Sequence, residues 1–479
     1  MTPLERARAR KRKKNRRGVA LIMVLGAITV LTVFLTELQE ETSAELSAAL
    51  AERDQLRAEY YARSAINLSR LLIASEPTIR KSVSFLGLAL GMKSLPQLPV
   101  WEFTDMVLGP FNDQTGVASF GALAGVDTAS GKNLGLTGGG RFEVTVVDED
   151  SKIDINTAFA GTAISEQRIG AQLLGLMGPP QYNPLFEGRD PDDQFSDRAV
   201  ICGALVDWAD PDENLYACDP RATGPSAVGG EDGFYQLIGM PYRRKNAAYD
   251  SLDELRLVRG VGDDFWATFV DPEPNDPHKR IMTVWGQGKV NVNTANAQTL
   301  YGVICGNAVD ATEICTDPVQ AEKFLMAVSM VKSITMGAPL FRSPKNFTSV
   351  MQGKGNSTIK QIFDMLEIKP VVFKSAGDTE KQVSVDSKLL SIYAEGVVPG
   401  LKKETRMRIH TVVDIQGAPP IGQAASQILT AGAPTQGTPQ KGSTPQSAQT
   451  QLPNAATPEA IAAAMKQNPA GNLVYWRVE

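Results

Sequence analysis

The residues of this chain best suited to chemistry form an acidic run, Asp207-x-x-Asp210-x-Asp212-x-Asn214, followed further on by Glu231-Asp232. Clustered carboxylate and amide oxygens are hard donors, the type that Ca²⁺ prefers. Asp210-x-Asp212-x-Asn214 has the spacing that opens an EF-hand loop. Leu215 then stands where that loop needs Gly for its turn, and Arg221 where it needs a bidentate Glu, so this is not an EF-hand. Asp207, Asp210, Asp212 and Glu231 are the candidate Ca²⁺ ligands, with Asn214 and Asp232 as secondary ones. The competing reading is a solvated acidic turn in which Asp207 caps a helix. Asp190-Pro191-Asp192-Asp193 reads as plain surface.

Other chemistry is poorly served. The only histidines, His278 and His410, lie far apart and have no Cys or His companion, which excludes a histidine-rich catalytic zinc site. Gly125 to Lys132 imitates a phosphate loop but has one residue too many before Gly131-Lys132, and Asn133 follows in place of Ser or Thr. There is no Gly-x-Ser-x-Gly elbow. The chain is therefore read as non-enzymatic.

The elements that must carry these residues begin with the first thirty-six. Residues 1–17 hold nine Lys or Arg against one Glu, and Val19–Thr36 is uncharged. By the positive-inside rule the N-terminus stays cytoplasmic and the body is exported. An apolar run of this length spans most of a hydrocarbon core of roughly 30 Å. Removing the leader, worth +8, takes the formal charge from −5 to −13, a body that repels nucleic acid. In an exported chain, Cys202/Cys218 and Cys305/Cys315 read as two local disulfides.

Glu37 to about Ser75 has no Pro or Gly, so the apolar helix is expected to continue as one amphipathic rod to residue 76, ending before Pro77. Residues 109–140 are Gly-rich loop, and Arg141–Val147 alternates as a strand. Helical segments broken by Pro and Gly occupy 155–381, and strand patterns return at Leu389–Val398, Thr405–Val413 and Asn472–Val478. Insertion of a helical region into a small antiparallel sheet accounts for this order. Residues 416–470, rich in Ala, Gln, Pro and Thr, read as disordered. The phrases Lys152-Ile-Asp-Ile-Asn-Thr-Ala158 and Lys289-Val-Asn-Val-Asn-Thr-Ala295 repeat, each with an Asn-Thr able to cap a following helix. Similar phrases precede DNA-binding helical hairpins, but here Asp263-Asp264 follows the Gly260-Val-Gly262 turn and would face a phosphate with carboxylates.

Arg17-Gly18-Val19 resembles the class III leader of type IV pilins and pseudopilins, which is cut after Gly. Most such chains carry Glu at the fifth position after the cut, where this one has Met23. That absence, the length, and the ordered phrases Leu205–Asp212, Gly230–Tyr235, Pro241–Asn246, Ser251–Leu255 and Asn291–Ala295 resemble the class K minor pseudopilin of type II secretion. The resemblance implies an α+β, pilin-like fold: a long N-terminal helix on a small antiparallel sheet, with an inserted α-domain of two SAM-like helical-hairpin units. The expected divisions are leader 1–18; helix 19–76; first part of the pilin-like domain 77–154; insertion 155–381, with units at about 155–288 and 289–381; returning strands 382–415; disordered insertion 416–470; and final strand 471–479. It also implies cleavage between Gly18 and Val19 by prepilin peptidase, methylation of Val19, a Ca²⁺ site, and an inner-membrane, single-pass location with a periplasmic body in a Gram-negative cell. The implied role is at the pseudopilus tip, starting assembly and supporting export of folded proteins. Implied partners are minor pseudopilins of classes I and J through the N-terminal helix, the inner-membrane assembly platform, secreted substrate and the outer-membrane secretin. The alternative is a single-pass anchored periplasmic binding or adhesion protein that keeps its N-terminus.

Overall fold

The computed structural model describes residues 3–82, 96–109, 112, 139–190, 192–219, 227–228, 230, 232–335, 338–355, 358–400, 403–418, 468 and 470–479, with side chains from Val19 onward except at 105, 106, 227 and 228. Most of the Gly-rich loop and the 416–470 segment lie outside the described residues, as do Arg221 and Glu231.

Helix α1, Pro3–Ser82, is a single rod of 80 residues. Its apolar stretch is long enough to cross a membrane and buries nothing against the rest of the chain among the described residues. The Thr29, Thr32 and Thr36 hydroxyls donate to carbonyls three or four residues back, so these polar groups are satisfied within the helix itself. Past the apolar stretch the rod changes solvent. Ala58, Ala62, Ala65, Ile66, Ser69 and Ile73 recur at helical spacing and are buried.

The expected end of this helix at residue 76 is incorrect: Pro77 lies inside α1, which continues to Ser82. An interior Pro loses one backbone hydrogen bond. Contacts around it hold the last turn. Glu76, 2% exposed, accepts the Leu98 N–H at 2.8 Å and pairs with Arg80 at 3.3 Å.

The surface receiving α1 is a four-stranded antiparallel sheet in sequential order: β1 (Arg141–Asp148), β2 (Leu389–Val398), β3 (Thr405–Asp414) and β4 (Asn472–Val478). Alternation sends Phe142, Val144 and Val146 of β1, Leu390, Ile392 and Ala394 of β2, and Ile409 and Val413 of β3 to the α1 side. Gly396 is required there, because a Cβ would lie 1.8 Å from the Ala58 carbonyl oxygen. On the far face Tyr393 stacks on His410 at 4.1 Å between centroids, and Tyr475 meets His410 tilted, at 5.2 Å.

Between β1 and β2 the chain leaves the sheet to build two helical units, each with its own core. The first holds α2 (Ala163–Met177) and α3 (Arg198–Asp207); the second holds α4 (Ala297–Asn307) and α5 (Pro318–Thr335). Each unit opens and closes on a two-residue parallel bridge, Ile153–Asp154 with Met282–Thr283 and Val290–Asn291 with Val383–Ser384. The units meet where α2 crosses α4 closely; a Cβ on Gly175 would lie 2.3 Å from the Gly302 carbonyl oxygen. The structure is thus a long helix on an antiparallel sheet interrupted by a helical body, the α+β architecture that the resemblance implies.

Candidate cation loop and buried junction

Asp197 accepts the Val200 N–H at 2.9 Å and starts α3, which delivers Asp207 at its last turn. Asp207 Oδ1 accepts the Tyr216 N–H at 2.9 Å, tying the helix end to the strand pair Asn214–Leu215 and Ala227–Val228. Asp212 Oδ1 accepts the Asn214 N–H at 2.7 Å. Asp210, 1% exposed, has an Oδ1 with no hydrogen-bond partner. Burial pushes Asp207 up to about 8, with the Tyr216 N–H opposing and Asp210 adding to the rise. Burial and the neighbouring Asp212 and Glu166 push Asp210 to about 7.

One cation is already close by. Arg244 donates to the Asp207 and Asp212 carbonyls at 3.3 and 3.1 Å, and its Nε faces Asp232 Oδ1 at 3.6 Å. Asn246 donates to the same Asp212 carbonyl at 3.4 Å and leaves its own Oδ1 buried without a partner. Asp207, Asp210 and Asp212 therefore lie on one loop as the sequence arranges them, whereas Asp232 is committed to Arg244 and Glu231 lies outside the described residues. Among the described residues no group of three or more His, Cys, Asp or Glu converges tightly enough to hold a metal. Two buried oxygens in this acidic region, Asp210 Oδ1 and Asn246 Oδ1, have no hydrogen-bond partner.

Cys202 is bonded to Cys218 and Cys305 to Cys315. The first bridge braces the acidic loop, joining α3 to the segment after Tyr216. The Asp190 run is structural: Asp190 Oδ1 accepts the Asp192 and Gln194 N–H groups, and Oδ2 accepts from Ser196.

The sequence reading passed over a buried charged junction directly after β1. Asp148 Oδ2 accepts hydroxyls of Thr294 and Ser387, and Asp150 Oδ2 accepts the Lys388 N–H at 2.6 Å and Gln287 Nε2 at 2.7 Å. Glu149 and Lys152 form an ion pair at 3.0 Å, both nearly inaccessible. Burial acts to raise Glu149, but Lys152 and hydroxyls of Ser391 and Thr283 outweigh it and hold the carboxyl below its usual range. Burial raises Asp148 and Asp154 to about 7. These groups join the sheet to both helical units. Their only signal in the sequence was Asp-Glu-Asp-Ser-Lys, five polar residues where a strand ends.

The repeated phrase also has a different use from the expected one. Helix caps come from Thr162 for α2 and Asn296 for α4. Asn156 instead clamps a remote segment, accepting the Tyr249 N–H at 2.7 Å and donating to the Tyr249 and Val284 carbonyls at 3.0 and 2.8 Å. Asn293 does the same in the second unit, accepting from Leu340 and Phe341 at 2.9 and 2.8 Å and donating to the Phe341 carbonyl at 3.0 Å. Asp154 and Asn291, two residues earlier, each accept the N–H of the clamping Asn at 3.0 Å. The phrase is a clamp used twice.

No protein-family model matches the chain, and no curated protein matches it. Among solved structures, a chain of the GspK-GspI-GspJ complex from the type 2 secretion system of enterotoxigenic Escherichia coli is similar, at 14% identity and TM-score 0.39, over 78% of this chain and 94% of that one.

Proposed function

We propose that this chain is a non-enzymatic minor pseudopilin placed at the tip of a type II secretion pseudopilus. The observation that carries this reading is α1, one unbroken rod whose first part is exposed and apolar and whose last part lies on a four-stranded sheet. Such a rod suits a subunit that leaves a membrane to pack into a helical filament. Two features favour the end of that filament. Met23 leaves no carboxylate to pair with a subunit above, and an unpaired buried carboxylate would be costly. The helical body between β1 and β2 is bulk better accommodated at an end than in a packed shaft.

In this reading prepilin peptidase cuts after Gly18, Val19 is methylated, and minor pseudopilins of classes I and J bind beside α1. The subunit starts assembly on the inner-membrane platform and supports export, with the helical body turned toward substrate or the secretin. Calcium at the acidic loop belongs to the same proposal. Asp210 would be its central ligand, Asp207 and Asp212 would contribute further oxygens, and the ion would offset the burial, and the lesser carboxylate repulsion, that raise Asp207 and Asp210.

The test is the N-terminus and intact mass of the protein from cells with and without prepilin peptidase. A peptidase-dependent start at Val19 is expected. An intact leader in both strains would favour the anchored binding protein instead.

A further inference from the structure

The far face of the sheet, opposite α1, borders the first helical unit across a cleft of about 260 Å³. One wall is the sheet itself, with Tyr393 of β2, His410 of β3 and Tyr475 of β4. The other wall belongs to the helical unit and carries Trp266 and Trp285. Trp285 and Tyr475 approach to 5.3 Å between centroids, and both are half-buried, as is Trp266. Arg256 lies over the Trp266 ring at 4.1 Å and helps to hold it in place. Because α1 occupies the opposite face of the sheet, the cleft stays open whatever α1 packs against.

Polar groups among these rings are buried and already organised. Asp271, 6% exposed, accepts from Arg280 Nε at 3.1 Å through Oδ2, and Arg280 also donates to the Tyr393 hydroxyl at 3.1 Å. Asp271 Oδ1 is buried without a hydrogen-bond partner. An acceptor left in that state is costly, and a hydroxyl donor would remove the cost.

The charges lining the cleft are mostly matched. Glu149 pairs with Lys152 at 3.0 Å, Arg477 with Glu479 at 3.4 Å, Arg408 with Glu395 at 3.7 Å and Asp250 with Lys245 at 2.6 Å. Among the described residues, exposed Asp253 is the one charged lining group outside an ion pair. Burial pulls His410 down to about 4, so its ring is neutral at pH 7. Nothing here calls for a ligand of either charge.

We infer that this cleft binds a neutral saccharide ring. A sugar ring presents C–H bonds on its faces and hydroxyls around its edge. The C–H bonds suit the electron-rich faces of Trp and Tyr, and the hydroxyls both donate and accept, matching the free oxygen of Asp271 on one side and the guanidinium groups of Arg280 and Arg408 on the other. A position between two packed bodies, with aromatic walls and a few fixed polar groups, is where small ligands are usually held. A basic side chain could use the same ring faces, but only Asp253 would be left to pair with it. An anion would meet the buried carboxylates of Glu149 and Asp271.

Calorimetric titration of the full-length protein, in a detergent without a sugar headgroup, tests this with cellotetraose and with the tetramer of N-acetylglucosamine. Saturable binding of at least one is expected. Tyr475→Leu and Trp285→Leu, on opposite walls, each keep an apolar side chain and remove the ring face; each is expected to weaken binding about tenfold at unchanged melting temperature. Should one variant fail to fold, the other carries the comparison. No binding of either sugar, binding of tetralysine alone, or equal sugar binding by wild type and folded variant would overturn the inference. Leader cleavage has no part in this experiment, so its failure leaves the pseudopilin reading where it stands.

Discussion

Replacing either clamping asparagine measures what the repeated phrase contributes. Asn293→Ala removes three hydrogen bonds and leaves the Leu340 and Phe341 N–H groups and the Phe341 carbonyl without them. Asn293 is 6% exposed and Phe341 2%, so water does not readily replace the lost partner. At about 1–1.5 kcal/mol per bond, plus desolvation of the abandoned groups, the cost is about 3–5 kcal/mol. Asn156 makes the equivalent three bonds but is only partly buried, so Asn156→Ala should cost less, about 2–3 kcal/mol. Hydrogen exchange by mass spectrometry on the full-length protein in detergent reads both. A change of about 3 kcal/mol speeds exchange of amides held by the clamp about 100-fold. The acceleration in Asn293→Ala should cover residues 340–341 and spare Tyr249, and the reverse should hold for Asn156→Ala. Equal protection in wild type and variants, or exchange rising equally in both units, would refute the clamp.

Gly396→Ala places a Cβ 1.8 Å from the Ala58 carbonyl oxygen, backbone against backbone, so α1 must move off the sheet. A loss of about 1–3 kcal/mol or more is expected, read as a lower melting temperature; an unchanged melt would contradict the packing of α1 on β2. Asp154, held near 7 by burial, binds its proton more tightly folded than unfolded. Its stability contribution is therefore full below 3.8 and is lost as pH rises to about 7. Asp154→Asn, which copies the Asn291 of the second unit, should remove on the order of 2 kcal/mol of the stability difference between pH 5 and pH 8; an unaltered pH profile would exclude this role. Asp210→Ala should abolish any rise in melting temperature on adding Ca²⁺ to protein purified in chelator. A wild-type melt that ignores Ca²⁺ would remove the metal from the proposal.

The strands, the apolar helix and the interrupted order of elements were legible because period-two and helical patterns reflect burial on one side, as in Arg141–Asp148 and Ala58–Ile73. The end of α1 was misread because Pro77 is a local signal, and the contacts that override it come from Leu98 and Arg80. The function of the repeated Asn was misread for a related reason. Its partners lie up to 93 residues and 128 residues away for Asn156, and side-chain identity alone does not distinguish a cap from a clamp. The charged junction after β1 went unread because burial of charge is a property of the assembled units. In the acidic loop the sequence located Asp207, Asp210 and Asp212 but gave no sign of Arg244 beside them.

The pairing of Asp148 with Leu390 sets an order of events in folding. β1 and β2 are neighbours, yet some 240 residues separate them along the chain, and closing a flexible loop of that length costs roughly 3–4 kcal/mol more than closing a tight hairpin. Once each helical unit has formed its own core and closed its parallel bridge, the two ends of the insertion are held near each other and most of that entropic cost is already met. The sheet is then complete only when β4, which follows β3 by more than fifty residues, pairs along its edge. Until that moment β3 has an open edge, so truncation of only the final strand should leave two folded helical units and a rod still seated on β1, β2 and β3, with that edge of the sheet unpaired.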